Sequence, residues 1–162
     1  MNIIGGPMKI THNPSLLAVK ELLNSARLPT ADITTEHMEH FLGAWSDSTL
    51  EGVVGVERYG TVALLRSLAV AASKQGSGLG SRLLSQAEQY AAERGVRSLF
   101  LLTTTAAPYF DKRGYACISR TAVSEAIRNT AEFTSLCPAS SVLMVKHMRS
   151  DAGSWPDMDV TV

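Results

Sequence analysis

One stretch, residues 67–82, most constrains what this chain can fold into. It opens with apolar residues typical of a strand, passes through closely spaced glycines and continues with helical spacing, SLAVAASKQGSGLGSR. Glycine has no Cβ, so Gly76, Gly78 and Gly80 let the main chain curl and turn successive N–H groups toward an anion. The first turn of the following helix adds N–H donors and the positive end of its dipole. The stretch therefore predicts a strand–loop–helix unit that binds a diphosphate.

Two familiar classes of diphosphate loop fit this stretch poorly. An ATP or GTP loop needs a lysine at the start of its helix, whereas Gly80 is followed here by Ser81 and Arg82. A dinucleotide loop has the spacing G-x-G-x-x-G and an acidic residue about 20 residues further on. The glycines here alternate with single residues, and the next apolar run, 98–103, ends in threonine. A nucleotide-binding protein is therefore only an alternative interpretation.

The pattern Gln75-x-x-Gly78-x-Gly80 resembles the acetyl-CoA signature of the GNAT superfamily of N-acetyltransferases. A second segment, residues 110–115 (FDKRGY), is similar to the superfamily's Tyr-x-Lys-x-Gly-Phe segment. The resemblance implies acetyl-CoA as cosubstrate, with its diphosphate on the loop and its pantetheine arm along the preceding strand. The cofactor-binding residues that it implies are Leu68, Ala69, Val70, Gln75, Gly76, Ser77, Gly78, Leu79, Gly80, Ser81 and Phe110.

Length and charge limit the partners of the chain. Its 162 residues favour one domain, and equal numbers of acidic and basic residues give a formal net charge of zero. No basic field is therefore expected for nucleic acid or an anionic membrane, and no apolar run approaches the roughly 20 residues of a membrane span. We expect a cytoplasmic protein with a small-molecule partner and two free thiols, Cys117 and Cys137. A homodimer is expected because two-fold dimers are the commonest oligomers.

The order of the patterns predicts an α/β fold. Residues 1–7 are expected to form a flexible leader, 8–148 the acetyltransferase domain and 149–162 a flexible tail. Asn13 and Pro14 are typical of a helix start, and Gly95 of the end of the helix after the glycine loop. The other predicted elements are strands at 8–11, 41–45, 50–58, 61–70, 98–103, 115–119 and 141–147 and helices near 36–40, 106–113 and 123–133. We expect a mixed central sheet with an antiparallel N-terminal meander and a parallel central pair, flanked by helices.

Two charged residues stand out near the predicted hairpin. A turn at Tyr59-Gly60 would place Glu57 on the same sheet face as Arg66. Acetyl transfer to an amine needs a base, and Glu57 is our candidate, with a simple exposed residue as the alternative. A guanidinium inside a strand needs an anionic partner. Arg66 is therefore predicted to bind a carboxylate of an amino-acid-like substrate. The alternatives are that it pairs with a carboxylate of the chain itself or emerges at a solvent-exposed edge.

The predicted proton donor departs from the superfamily pattern. A tyrosine of the second segment often protonates the leaving thiolate in this superfamily, and Phe110 stands in its place. Phenylalanine has no proton to donate, so the neighbouring Tyr109 is the candidate acid. Thr104 takes the position of an asparagine that in many relatives binds on the pantetheine side, and it is assigned to substrate binding.

Further departures resemble one subgroup of these enzymes. The segments at 102–110 and 130–140 are similar to acetyltransferases associated with arsenic resistance, the ArsN type. This resemblance implies a small amino-acid-like acceptor, including arsenic-bearing or phosphinic amino acids. Cys137 is expected to be a structural thiol. His37 and His40 share a helix face, but no further close ligand supports them, so no metal site is expected.

The sequence leaves two functions open. The favoured one is an N-acetyltransferase that moves acetyl from acetyl-CoA to a small amine by direct attack in a ternary complex, without a covalent intermediate. The alternative is a CoA-binding sensor or partner module with little or no turnover, which the replacement of the usual tyrosine by Phe110 suggests.

Overall fold

The computed structural model describes residues 8–123, 125–130, 133 and 140–148. The predicted leader, the predicted tail and Cys137 lie outside these residues. The strands are Lys9–His12 (β1), Phe41–Ser46 (β2), Thr49–Tyr59 (β3), Val62–Val70 (β4), Ser98–Thr103 (β5), Ala116–Cys117 (β6) and Val142–His147 (β7). The α-helices are Leu16–Ser25 (α1), Leu79–Glu93 (α2), Ala107–Asp111 (α3) and Glu125–Arg128 (α4). Short 3-10 helices span His37–His40, Ala72–Lys74 and Arg120–Ala122.

The strands form one mixed sheet in the order β1-β2-β3-β4-β5-β7-β6. Strands β4 and β5 are parallel, with Val62 opposite Ser98 and Leu64 opposite Phe100, and the other pairs are antiparallel. The predicted α/β fold, with its antiparallel meander and its parallel central pair, is confirmed. Among the described residues, no helix is both long enough and apolar enough to cross a membrane.

The chain forms two compact units, and the first comprises Met1–Glu57 and Leu65–Ala87. Its core lies under α1, whose 3.6-residue spacing turns Val19, Leu22 and Leu23 inward. Other members of this core are Ile33, Met38, Phe41, Leu50, Val53 and Ala69. Because one face of α1 carries nearly all of its large apolar residues, its burial rather than its intrinsic propensity fixes the helix.

The predicted cap of α1 is wrong by two residues. Asn13 adopts a left-handed backbone with φ of 58°, and its N–H donates to the carbonyl of Phe41. Ser15 is the N-cap, and its hydroxyl oxygen accepts from the N–H of Ala18 at 3.3 Å. The hydrogen bond to Phe41 attaches Asn13 to strand β2, so the helix begins only after Pro14.

The second unit comprises Arg58–Leu64 and Glu88–Val162. Its core consists of Leu64, Phe100, Val123, Ile127, Leu143 and Val145. The predicted strand 115–119 is shorter than expected, because Ser119 caps the next 3-10 helix by accepting from the N–H of Thr121. Within the predicted helix 123–133 the structure shows α4 at Glu125–Arg128 and a π-helical residue at Phe133. Residues 124, 131 and 132 lie outside its description.

The turn between β3 and β4 consists of Gly60 and Thr61, one residue later than predicted. Gly60 has φ of 69°, the left-handed conformation that glycine adopts without a Cβ penalty. Tyr59 is therefore the last residue of β3, and β3 and β4 are antiparallel neighbours as predicted. The shift leaves the predicted proximity of Glu57 and Arg66 intact.

Gly55 has no side chain, and the ring of Phe41 occupies the space that a Cβ would fill. It lies opposite Phe41 in the β2–β3 register, and a Cβ built on Gly55 would overlap the Phe41 ring. Phe41 is fully buried. A strand glycine costs backbone entropy, but here it makes room for a large apolar side chain.

Gly55→Ala is expected to lower the free energy of unfolding by about 1–3 kcal/mol, because the added methyl group overpacks the Phe41 ring. Denaturant unfolding measures this loss. A double-mutant cycle with Phe41→Leu is the control, and it should show a coupling of about 1 kcal/mol, because the shorter side chain relieves the overlap. Strictly additive effects would contradict the packing.

Candidate functional site

Two of the three loop glycines have the turn backbone that the sequence predicts, whereas Gly80 is helical. Gly76 and Gly78 adopt φ of 82° and 87°, and a Cβ on either would meet no atom within 4 Å. The requirement for glycine is therefore conformational and not steric. Helix α2 begins directly afterwards at Leu79, so Gly80 and Ser81 belong to its first turn, where N–H groups have no acceptor within the helix.

Polar side chains tie the loop to the end of β4. Gln75 donates from Nε2 to the carbonyl oxygen of Val70 at 3.1 Å. The carbonyl of Lys74 accepts from both the N–H and the hydroxyl of Ser77. These bonds fix where the loop starts and where it turns. The N–H groups that follow Gly76 consequently have a defined direction before any ligand arrives.

The strand before the loop has a local irregularity. Ser67, in the middle of β4, has φ of 60°, which is unusual for a residue with a side chain. Such conformations cost about 1–3 kcal/mol and persist where the surroundings enforce them, often at functional sites. Beyond it lie Leu68, Ala69 and Val70, of which Ala69 is buried and the other two are half-buried. The sequence does not predict this feature.

A charged cluster, defined here as Asp32, His37, Glu57 and Arg66, lies in the first unit. The Arg66 side chain has no exposed surface. Its Nη1 donates to Glu57 Oε2 at 2.6 Å and to Asp32 Oδ2 at 2.6 Å, and its Nη2 donates to Asp32 Oδ1 at 2.9 Å. Of the alternatives left open by the sequence, the structure contains the internal pairing. The predicted proximity of Glu57 and Arg66 is confirmed.

His37 adds a polarised ring to this cluster. The N–H of Thr34 donates to its Nδ1 at 3.0 Å. A backbone N–H is only a donor, so Nδ1 accepts and the proton of the neutral ring sits on Nε2. That nitrogen lies 3.7 Å from Glu57 Oε2. His37 therefore turns the N–H of its ring toward the carboxylate of Glu57.

The electrostatics of Asp32 reflect two opposed effects. Partial burial acts to raise the pKa of Asp32, but its hydrogen bonds to Arg66 and the guanidinium charge outweigh burial and hold the pKa below its usual range. The carboxylate is thus ionised at neutral pH. Asp32 and Glu57 thus bond to one and the same guanidinium.

Three members of the cluster also have metal-binding side chains. One ligand atom each of Asp32, His37 and Glu57 lies within 4.8 Å of the others. Both carboxylates are already bonded to a cation, the guanidinium of Arg66. A metal ion would have to compete with that arginine, so the chemistry of the donor set favours the ion pair. His40, the other histidine considered in the sequence, is not part of this group.

The remaining predicted residues lie in the second unit. Phe110 is buried and packs edge-on against Tyr109 at 5.1 Å and Tyr115 at 5.6 Å between ring centroids. The guanidinium of Arg113 covers the ring of Tyr109 at 3.7 Å. Thr104 is exposed directly after β5. Phe110 thus contributes to an aromatic stack, and Tyr109 keeps a half-buried ring.

Tyr115 ends this aromatic stack in a polar network. Its hydroxyl donates to Glu88 Oε2 at 2.8 Å, and Lys146 donates from Nζ to Glu88 Oε1 at 3.1 Å. Burial, followed by the Glu88 charge and hydrogen bond, raises the pKa of Tyr115 far above its usual range. Tyr115 therefore stays protonated and serves as a structural donor. The sequence singles out this residue only as part of the second segment.

Sequence reasoning missed two members of the charged cluster. Asp32 lies in the segment PTADITT, which has no periodicity, and it is 34 residues from Arg66 along the chain. His37 was considered only together with His40 as a metal ligand. The need of a strand arginine for an anion was a signal for some carboxylate, but nothing in the sequence indicated which one.

Comparisons with known proteins agree with this geometry. The model of the acetyltransferase (GNAT) family matches residues 14–129. That range holds the glycine loop, the charged cluster and the 110–115 segment. A search of curated proteins found no significant match.

Several solved structures superpose on the chain. N-acetylglutamate synthase from Neisseria gonorrhoeae, complexed with coenzyme A and N-acetyl-glutamate, gives a TM-score of 0.77 at 21% identity, over 89% of this chain and 36% of that chain. Rv2747 from Mycobacterium tuberculosis, in complex with CoA, gives 0.72 at 17% identity, over 89% of this chain and 100% of that one. The chain thus spans about a third of the length of the synthase. At these identities the likeness shows the fold.

The pKa of Asp32 predicts part of the acid sensitivity. A carboxylate whose pKa is lower in the folded state stabilises the protein above its unfolded pKa, here about 3.8, and this contribution is lost as the pH falls through the folded pKa. Asp32→Asn is expected to flatten the fall in unfolding free energy below about pH 4. Denaturant unfolding from pH 6 to pH 3 measures this slope.

Asp47→Asn is the matched control for this measurement. Asp47 is exposed and already adopts a left-handed backbone that asparagine tolerates. The substitution removes one carboxylate, as Asp32→Asn does, and should leave the pH dependence of the unfolding free energy as it is in the wild type. An unchanged slope in Asp32→Asn would contradict the ion pair.

Proposed function

The chain belongs to the acetyltransferase (GNAT) family, and from this premise we propose that it transfers acetyl from acetyl-CoA to the amine of a small, amino-acid-like acceptor. The observation that carries the proposal is the glycine loop, with two left-handed glycines tied to a strand end and opening a helix. A merely structural turn would need neither the two glycines nor the helix start.

Acetyl-CoA would be held mainly by the main chain. The proposed cradle for the diphosphate is Gln75–Ser81, where N–H groups and the helix dipole meet two negative phosphates. Lys74 and Arg82 flank it with positive charge. The pantetheine arm is proposed to follow Leu68, Ala69 and Val70, with Phe110 as a further cofactor contact. A main-chain N–H of this strand would also polarise the thioester carbonyl and stabilise the oxyanion.

The proposed reaction is direct attack in a ternary complex. The acceptor nitrogen attacks the thioester carbon, a proton leaves the nitrogen, and the tetrahedral intermediate collapses with release of the CoA thiolate. Glu57 is the proposed base, because its Oε2 accepts from Arg66 and faces the N–H of the His37 ring. Tyr109 is the proposed donor to the thiolate. Because the Phe110 ring has no proton to give, acid catalysis depends on Tyr109 or on solvent.

The acceptor is proposed to carry a carboxylate as well as an amine. Arg66 presents the planar fork that binds carboxylates in a bidentate manner, and Thr104 is a proposed further contact. The resemblance to the ArsN type favours arsenic-bearing or phosphinic amino acids, and with them a role in detoxification or arsenic resistance. A homodimer and a cytoplasmic location stay predictions.

Acceptor-dependent release of thiol from acetyl-CoA tests this function. A panel of amino acids with arsenic and phosphinic analogues should contain at least one compound that accelerates release well above the rate of hydrolysis. Tight CoA binding with no acceptor-dependent release would favour a CoA-binding sensor. Stabilisation by ATP or NAD in place of CoA in a thermal-shift comparison would favour a nucleotide-binding protein.

Glu57→Gln sharpens the same assay. An amide cannot take the proton, so kcat should fall by about 100-fold or more, while CoA affinity is retained. Asp32 still neutralises Arg66 in this variant, which protects the fold. Glu51→Gln, on the same strand, is the matched control and should leave kcat unchanged. An undiminished kcat in Glu57→Gln would remove Glu57 from the mechanism.

The loop itself is tested by Gly78→Ala. A Cβ disfavours φ of 87°, so the N–H groups of the loop should turn away and CoA affinity should fall by about tenfold, the equivalent of about 1.4 kcal/mol. Gly95→Ala is the matched control, because Gly95 has φ of 86° at the other end of the same helix. Calorimetry with CoA measures both. Equal losses in the two variants would point to a general loss of stability and contradict binding at the loop.

A further inference from the structure

The guanidinium of Arg66 is buried and is bonded to two carboxylates of the chain, those of Asp32 and Glu57. Its side chain has no exposed surface, so a ligand cannot reach it while its present partners stay. Asp32 accepts from both Nη1 and Nη2, at 2.6 Å and 2.9 Å, and Glu57 accepts from Nη1. The bidentate geometry of Asp32 is the one that the carboxylate of an amino acid adopts on an arginine.

The two carboxylates differ in how the fold holds them. Glu57 lies in β3 and has 9% of its side chain exposed. Asp32 lies between α1 and the following 3-10 helix, in a segment with turns but no helix or strand, and has 20% exposed. Asp32 is thus the partner that faces solvent and can leave with the smaller change in structure. Glu57 would remain to balance the charge of Arg66.

We propose that Asp32 is an internal stand-in for the carboxylate of the acceptor and is displaced from Arg66 when the acceptor binds. The inference rests on the proposed function, in which Arg66 binds the acceptor. It makes Asp32 a specificity-determining residue. Only an acceptor whose carboxylate accepts from both Nη1 and Nη2 replaces the two hydrogen bonds that Arg66 loses when Asp32 leaves.

The exchange is balanced in charge and hydrogen bonds. The carboxylate of Asp32 leaves the guanidinium and becomes hydrated. The carboxylate of the acceptor loses its hydration water and accepts from the same two donors, Nη1 and Nη2 of Arg66. The internal group nevertheless competes, because a ligand binds only in the fraction of molecules whose site is open. If Asp32 occupies Arg66 in nine molecules of ten or more, its removal should raise the affinity for carboxylates by about tenfold or more.

Calorimetry with acetate on the full chain tests the inference. Asp32→Ala and Asp32→Asn should both bind acetate about tenfold or more tightly than the wild type. Ethylamine, which has no carboxylate, should gain nothing. Glu36→Gln is the matched control, since it removes an exposed charge from the same segment and should leave acetate binding unchanged.

Two results would overturn the inference. Folded Asp32 variants that bind acetate no better than the wild type would show that Asp32 is a permanent structural partner. Loss of the folded state in both variants would show the same, because a displaceable group is not needed for folding. The readout requires neither CoA nor turnover. A protein that fails to transfer acetyl but binds acetate more tightly without Asp32 would therefore contradict the enzyme proposal alone.

Discussion

The buried guanidinium of Arg66 requires anionic partners within the first unit. A cation without exposed surface is costly unless anions surround it, and breaking such a pair from one side costs about 3–5 kcal/mol. Glu57 meets this need from the neighbouring strand, and Asp32 meets it from the connection after α1. The arginine thereby fixes the position of that connection. It also keeps the carboxylate of Glu57 next to the His37 ring.

Strand β4 links this ion pair to the glycine loop. Arg66 is followed by Ser67, whose hydroxyl accepts from Arg66 Nε at 3.2 Å and whose backbone is left-handed. Leu68, Ala69 and Val70 come next, and the carbonyl of Val70 anchors the loop through Gln75. Groups suited to an amine acceptor and groups suited to a thioester carrier therefore follow one another on a single strand. This continuity is what favours acetyl transfer over simple binding of either ligand.

Much of this arrangement could be predicted from the sequence because it depends on local patterns. The glycine loop, the helix that follows it and the strand order up to β5 follow from spacing and turn residues. Contacts over long distances along the chain could not be predicted in the same way. Asp32 belongs to no periodic pattern. The left-handed backbone of Ser67 could not be predicted, because glycine is the residue that usually signals this conformation. The start of α1 was misplaced because a backbone bond from Asn13 to Phe41 outweighs the cap preference of asparagine.

Binding of CoA at the glycine loop is best tested by a crystal structure of the protein with bound CoA. We expect diphosphate oxygens within about 3.2 Å of main-chain nitrogens between Gly76 and Ser81, the distance of an N–H hydrogen bond. We also expect the sulfur end of the pantetheine arm to run toward Leu68. A diphosphate bound elsewhere, with the glycine loop unchanged and without a ligand, would contradict this mode of binding.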